Sequence, residues 1–187
     1  MGGVPKGLEQ VGDARIIDRV AMSLREVTPD LLLVANHPDA DSWMKGVPVV
    51  ADLHAGVGGL AGVEAALGRG RDALVVAWDM PFVTGALLQA LLAAARDSDA
   101  DVVLPESDSP HGSEPFCAFY SVRLRDSLTR FLDGGGGPAH EFLARLSRVR
   151  RLTSAEIGRI GDARRLFLSI NTPADLERAR AMAADSE

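Results

Sequence analysis

The sequence predicts an α/β fold, a three-layer sandwich with helices on both faces of a mostly parallel, Rossmann-like sheet. Two observations carry the prediction. Short apolar runs closed by a polar residue recur as "LLLVAN" (31–36), "VPVVAD" (47–52) and "ALVVAWD" (73–79), the pattern of strands buried on both faces. Helical stretches lie among them, and strands alternating with helices are joined by right-handed crossovers that lay the strands parallel. The 187 residues, 47% hydrophobic and 25% charged, suit one domain (1–187) with its own core.

Each element has a local reason. Residues 14–27, "ARIIDRVAMSLREV", place Ile16, Ile17, Val20, Met22 and Leu24 near one helical stripe with charges opposite. The three strands named above follow in order. Between the second and third lies the helical "GLAGVEAALG" (59–68), and after the third comes "TGALLQALLAAARD" (84–97) with Thr84 at its N-cap. "DVVLP" (101–105) and "PFCAFYS" (115–121) read as strands, and 123–133 as a helix. "GGGGP" (134–138) is a turn, and a short helix "AHEFLARLS" comes next. "RLFLSI" (165–170) reads as the last strand. The closing helix begins with Thr172 as cap and Pro173 at its first position.

Composition narrows the chemistry. A net charge of −6 disfavours nucleic acid or an anionic membrane as partner, because either requires a basic face. An anionic substrate then needs a local cluster of positive charge. Cys117 is the one cysteine, so neither a disulfide within the chain nor a thiolate metal site is available, and a cytoplasmic setting is expected. Buried in an apolar strand, it reads as a small hydrophobe. No apolar run reaches the length of a membrane span. His37, His54, His111 and His140 lack ligand spacing. A G-x-S-x-G elbow is absent, which leaves nucleophilic hydrolase chemistry without support. "RVRR" (148–151) reads as a solvated edge.

In doubly wound sheets, ligands gather beyond the carboxyl ends of the strands. Asn36, Asp52 and Asp79 close the first three strands. Two carboxylates at one sheet edge can hold a hard cation such as Mg²⁺, whose remaining ligands are phosphate oxygens and water. Pro81 sharpens the turn after Asp79. In "MGGVPKGL", Gly2, Gly3 and Lys6 have the composition of a phosphate-cradling loop: glycine amides converge on oxygens and the lysine adds a mobile charge. No Ser or Thr follows Lys6, so it is not a Walker A loop. "GVGGLAG" (56–62) nominally fits a dinucleotide fingerprint with Asp79 about twenty residues on. The intervening Leu53–His54–Ala55 and the Met-Pro turn after Asp79 weigh against that reading. Either way it places amides at a helix N-terminus, which favours an anion.

Taken in order, "MGGVPKGL", "VAN", "VVAD", "GGLAG", "DMPF", "PFCAFY" and "SINTPADL" resemble molybdenum cofactor guanylyltransferase from the first residue to about Ala184. The resemblance implies a nucleotide-diphospho-sugar transferase type of fold and transfer of GMP from GTP to molybdopterin, with Mg²⁺ and release of pyrophosphate. It implies that Gly2, Gly3 and Lys6 belong to the GTP phosphate loop and that Asn36, Asp52 and Gly59 line the nucleotide side. Asp79 would hold magnesium and Asn171 would face molybdopterin. Lys6 and Asp79 would be the catalytic pair, and molybdoenzymes or other molybdenum-cofactor biosynthesis proteins are candidate protein partners.

Four departures stand out. Ala77-Trp78 replaces the small residues usual before the metal aspartate, Ser169 stands where asparagine is common, and Glu114 stands where some relatives carry histidine. CTP as donor, another phosphorylated acceptor, or a domain that binds nucleotide without turnover are the alternatives. The fourth departure is the loop itself, which in the family follows a strand and continues through an arginine. Its first half and that strand are not in the sequence, so residues upstream of Met1 are expected in the natural protein. Without them the sheet is expected to be poorly stable, because several buried backbone groups would lose partners at ~1 to 3 kcal/mol each.

Overall fold

The computed structural model describes residues 5–54 and 56–185; the expectations for Gly2 and Gly3 therefore lie outside the described residues. The chain begins with a 3₁₀ turn at Lys6–Leu8 and a two-residue hairpin, β1 (Gln10–Val11) and β2 (Ala14–Arg15), turned by Gly12 at φ 64°. Helix α1 (Ile16–Arg25) follows. β3 (Leu33–Val34) and β4 (Val49–Val50) pair in parallel. Then come α2 (Gly59–Leu67), β5 (Ala73–Val76) and α3 (Gly85–Arg96), the last capped by the Thr84 hydroxyl, which accepts from the Leu87 amide at 3.4 Å. β6 (Val102–Pro105), β7 (Cys117–Tyr120), α4 (Arg125–Asp133) and α5 (Ala139–Leu143) lead to β8 (Val149–Leu152). Helices α6 (Ser154–Gly158), α7 (Ala163–Leu166) and α8 (Pro173–Ala184) complete the chain.

The α/β class holds, but the main sheet is mixed. Its order is β5-β7-β6-β8, with β7 antiparallel to both neighbours and only β6–β8 parallel. The cause is the segment 106–116, "ESDSPHGSEPF". It has no apolar helical stripe to make the crossover that a parallel return needs. Instead it folds back through a Glu106–Ser113 bridge and a turn at Gly112 (φ 68°), and a short return lays the next strand antiparallel.

Two further readings are corrected. "RLFLSI" is not a strand: it is the end of α7 followed by an extended segment tied to the strand ends by one backbone bond, Ile170 N–H to the Asp79 carbonyl at 2.9 Å. Its alternation is real, since Leu166, Leu168 and Ile170 are buried, but it has no ladder partner. "RVRR" instead contributes to a strand, β8, on the sheet edge beside β6. Two of its arginines are tied down, Arg148 to Asp99 and Asp101 and Arg150 to Glu156, while Arg148 and Arg151 stay exposed, as a solvated edge requires.

Helices cover both faces. On one, Leu60, Val63 and Leu67 of α2, Leu128 and Phe131 of α4 and Phe142 of α5 pack on Val102, Leu104, Ala118 and Tyr120. On the other, Leu87, Leu88 and Leu91 of α3, with Ile157 and Leu166, pack on Val103, Cys117 and Phe119. Cys117 lies wholly inside that layer, where burial pushes its thiol up to about 12. Helix α8 closes over the β1–β2 hairpin through Val11, Leu176 and Ala179. This construction leaves the carboxyl ends of β3, β4 and β5 together on one side of the molecule.

Candidate active site

Two cavities open at those strand ends. One of about 840 Å³ is lined in part by Asn36, Asp52, Gly58, Gly59, Trp78 and Asp79; the other, of about 530 Å³, shares Asn36, Asp52 and Trp78 and adds Pro5 and Trp43. Asn36, Asp52, Gly59 and Asp79 therefore line one cleft.

Asp79 sits in the turn just beyond β5. Burial raises its carboxyl pKa above the ordinary range; the Ser169 hydroxyl, a backbone amide and the nearby charge of Lys6 act against that rise. A chain of hydrogen bonds connects Lys6 to Ser169. The Lys6 ammonium donates to Asn171 Oδ1 at 3.0 Å and Asn171 Nδ2 donates to Ser169 Oγ at 3.0 Å, and the Ser169 hydroxyl acts to lower the Asp79 pKa. The amino-terminal loop, β5 and the entry to α8 thus converge on one carboxylate. Thr172 and Asp175 hold the Asn171 end through a capping box, and the Asp175 carboxylate also accepts from the Asn171 amide at 3.1 Å.

Across the cleft, Asn36 and Asp52 bond reciprocally: Asn36 Nδ2 donates to Asp52 Oδ2 at 2.8 Å and the Asp52 amide donates to Asn36 Oδ1 at 2.9 Å. This fixes the ends of β3 and β4 and leaves one Asp52 oxygen free of that pair. Gly59 is the first residue of α2, preceded by Gly58 at φ 91°. That left-handed conformation suits glycine, and Gly58 and Gly59 place the start of α2 on the wall of the cleft, a helix N-terminus that favours anions.

Two features showed in the sequence only as departures from the family pattern. Trp78, which stands in place of a small residue, is seated: its indole stacks on Trp43 with ring centroids 5.2 Å apart, and it lies where a Cβ on Gly7 would come within 2.5 Å of it. Gly7 is what lets the loop pack on the indole, and the signal was the glycine directly after Lys6. The second is Glu114. It accepts from the Ser107 hydroxyl at 2.7 Å, and its carboxyl is raised first by burial and also by the negative charge of Asp79. Its sequence position, far along the chain in a turn-rich segment, gave no sign of that proximity.

A divalent cation fits this arrangement in one way. Among the described residues, no group of three or more His, Cys, Asp or Glu is placed to hold a metal alone. Of two partly buried carboxyls there, Glu114 is raised by burial and by the charge of Asp79, and Asp79 is raised by burial and held back in part by the ammonium of Lys6. Such a site welcomes a cation that arrives with phosphate oxygens and water supplying its other ligands.

Residues 1–149 match the model of the MobA-like NTP transferase domain. The chain belongs to the MobA-like NTP transferase family. It is 32% identical over 183 residues to the molybdenum cofactor guanylyltransferase of Desulfosudis oleivorans, covering 96% of this chain and 88% of that protein. It is equally identical over 188 residues to a probable molybdenum cofactor guanylyltransferase of Pelotomaculum thermopropionicum, with 98% and 88% covered. Among solved structures, the molybdopterin-guanine dinucleotide biosynthesis protein A of Archaeoglobus fulgidus superposes with a TM-score of 0.83 at 28% identity, covering 98% of this chain and 92% of that one.

Proposed function

We propose that this chain transfers GMP from GTP to the terminal phosphate of molybdopterin, forming molybdopterin guanine dinucleotide and pyrophosphate in the cytoplasm. The observation that carries the proposal is the run of hydrogen bonds from Lys6 through Asn171 to Ser169, beside the Asp79 carboxyl at the strand ends of a chain whose relatives bear that name. A phosphate oxygen of the acceptor forms a new bond to the α-phosphorus of GTP. The bond from that phosphorus to the β-bridging oxygen breaks, and pyrophosphate leaves with the electron pair. The nucleophile is already anionic at neutral pH, so the chain supplies alignment and charge rather than a strong base.

Each residue then has a task. Lys6 and the amides at the start of α2 receive the triphosphate, and Asn36, Asp52 and Gly59 line the nucleoside side. Asp79, with Glu114 behind it, would hold Mg²⁺, which when bound neutralises charge on the α-phosphate and the departing pyrophosphate. Asn171 and Ser169 face the acceptor and hold Lys6 in register with Asp79. Molybdoenzymes or other molybdenum-cofactor biosynthesis proteins would take the product. The test is a pyrophosphate-release assay with purified chain, Mg²⁺, molybdopterin and either GTP or CTP. Release that needs both molybdopterin and GTP supports the reading. Release with CTP alone among nucleotides, or binding of GTP without release, overturns it.

A further inference from the structure

A buried carboxylate on α2 takes no part in the proposed chemistry. Glu64 is 2% exposed, in a helix, "GLAGVEAAL", that carries no other charge. Its two oxygens are engaged from two directions: Oε1 accepts from the Thr129 hydroxyl of α4 at 2.6 Å, and Oε2 meets His54 Nδ1 at 2.7 Å. The other ring nitrogen of His54 meets Oδ1 of Asp133, the last residue of α4, at 3.0 Å. Among the described residues, His54 is the one ion-pair partner of Glu64. A buried pair of this kind adds little net stability over an apolar side chain of the same volume, and its best-attested use is to fix register. Here it fixes a loop.

That loop runs from Asp52, beyond the end of β4, to Gly59, at the start of α2, and its Gly56, Gly58 and Gly59 line the larger cavity. Its ends are set by the Asn36–Asp52 pair and by the first turn of α2. Between those ends it is poor in backbone bonds. Among the described residues, the one backbone bond within it is Val57 N–H to the His54 carbonyl at 3.4 Å, long for such a bond. Side chains must therefore hold it. His54 ties it to α2 and α4, and three residues on Val57 packs against the turn that follows α4, where a Cβ on Gly136 would collide with Val57 Cγ1. The end of α4 and the "GGGG" turn (134–137) thus supply both anchors.

We propose that His54 is a positioning residue for the nucleoside triphosphate: with Glu64 and Asp133 it clamps the 52–59 loop to the end of α4 and presets the cleft wall on which the nucleotide lies. The inference rests on the reading of the cleft as the nucleotide site. A wall ordered in the free chain need not be ordered at binding, so the clamp acts on GTP affinity. His54 touches none of the reacting groups, so the turnover of bound substrate does not depend on it.

The test compares the whole chain with His54→Ala, Asp133→Ala and Thr129→Val by calorimetric titration with GTP and Mg²⁺, steady-state kinetics with molybdopterin, and Tm. Asp133 has a side chain 64% exposed, so its truncation leaves the fold standing. Thr129→Val removes a bond to Glu64 and neither anchor of the loop. His54→Ala is expected to weaken GTP binding about tenfold and Asp133→Ala about threefold, with KM raised to match and kcat within about twofold of wild type. Thr129→Val is expected to lower Tm and leave GTP affinity unchanged. Unchanged affinity in Asp133→Ala, equal weakening by Thr129→Val, or a fall in kcat in place of a rise in KM overturns the proposal; Asp133→Ala decides should His54→Ala not fold. A wild-type chain that binds no GTP sinks the proposed function instead, and hydrogen exchange of the amides of 56–61 then judges the clamp: faster exchange in Asp133→Ala upholds it, and unchanged exchange overturns it.

Discussion

Replacing Gly59 by alanine probes how closely the cleft is built. A Cβ there would come within 2.5, 2.6 and 3.0 Å of Phe116 Cζ, Cε1 and Cε2, so the ring must move. Overpacking of this kind costs about 1 to 3 kcal/mol. The alanine recovers up to ~1 kcal/mol of helix propensity in α2, and the ring can turn into the adjoining cavity that it already lines, which favours the lower half of the range. The net expectation is a loss of about 1 kcal/mol, a fall in Tm of roughly 2 to 4 °C for a domain of this size. Gly62, one turn on, is the control. Its Cβ would meet Val34 Cγ1 at 3.8 Å and Asp52 Oδ1 at 3.9 Å, ordinary contacts, so Gly62→Ala should raise Tm by roughly 2 to 4 °C through propensity alone. Thermal unfolding by circular dichroism reads both, and adding Phe116→Leu to Gly59→Ala should return most of the loss. Equal or higher stability of Gly59→Ala relative to Gly62→Ala would refute the close packing of Phe116 on the start of α2.

Two more outcomes follow from charged clusters. His54 bridges the buried Glu64 at 2.7 Å and Asp133 at 3.0 Å, and these carboxylates, Asp133 foremost, raise its pKa. Its proton is therefore held more tightly in the folded chain, so its stabilisation is complete below the unfolded value near 6.5 and fades as pH climbs through the higher folded value. The Tm gap between wild type and His54→Gln should shrink as pH rises from about 6 to 9; a gap that widens contradicts the assignment. Asp101 is buried and accepts from Arg148 Nε at 2.8 Å and Nη2 at 3.0 Å, with Arg123 Nε 2.9 Å away. Asp101→Ala should cost ~2 kcal/mol, a value held down by the half-exposed arginines, and urea unfolding with an unchanged midpoint would rule that out.

Much of this architecture was legible because periodicity reports burial. The helices α1 to α4 and α8 fall within a few residues of their expected spans, and Thr84 and Thr172 cap as their chemistry requires. What escaped was set by contacts distant in sequence. The reversal of β7 depends on a polar segment too short of apolar residues for a crossover, a negative signal that strand-by-strand reading passes over. β8 hides behind Arg150 and Arg151 because an edge strand needs only part of its surface apolar. Asn36, Asp52 and Asp79 could be found from their place after apolar runs, since that place is geometric. Glu114 could not, because its role arises from a hairpin that returns it toward Asp79. Ser169 drew notice only as a departure, yet its hydroxyl acts to lower the pKa of the Asp79 carboxyl.

The sharpest measurement on the proposed chemistry is GTP- and molybdopterin-dependent pyrophosphate release by Asp79→Asn, with Tm recorded beside it. The amide keeps the shape and removes a partly buried charge whose ionisation burial already opposes, so Tm should hold or rise slightly while turnover falls by at least about 10²-fold. Turnover at the wild-type rate would show that the Asp79 carboxylate does not hold the metal–triphosphate, and the assignment of this cleft as the transfer site would fail.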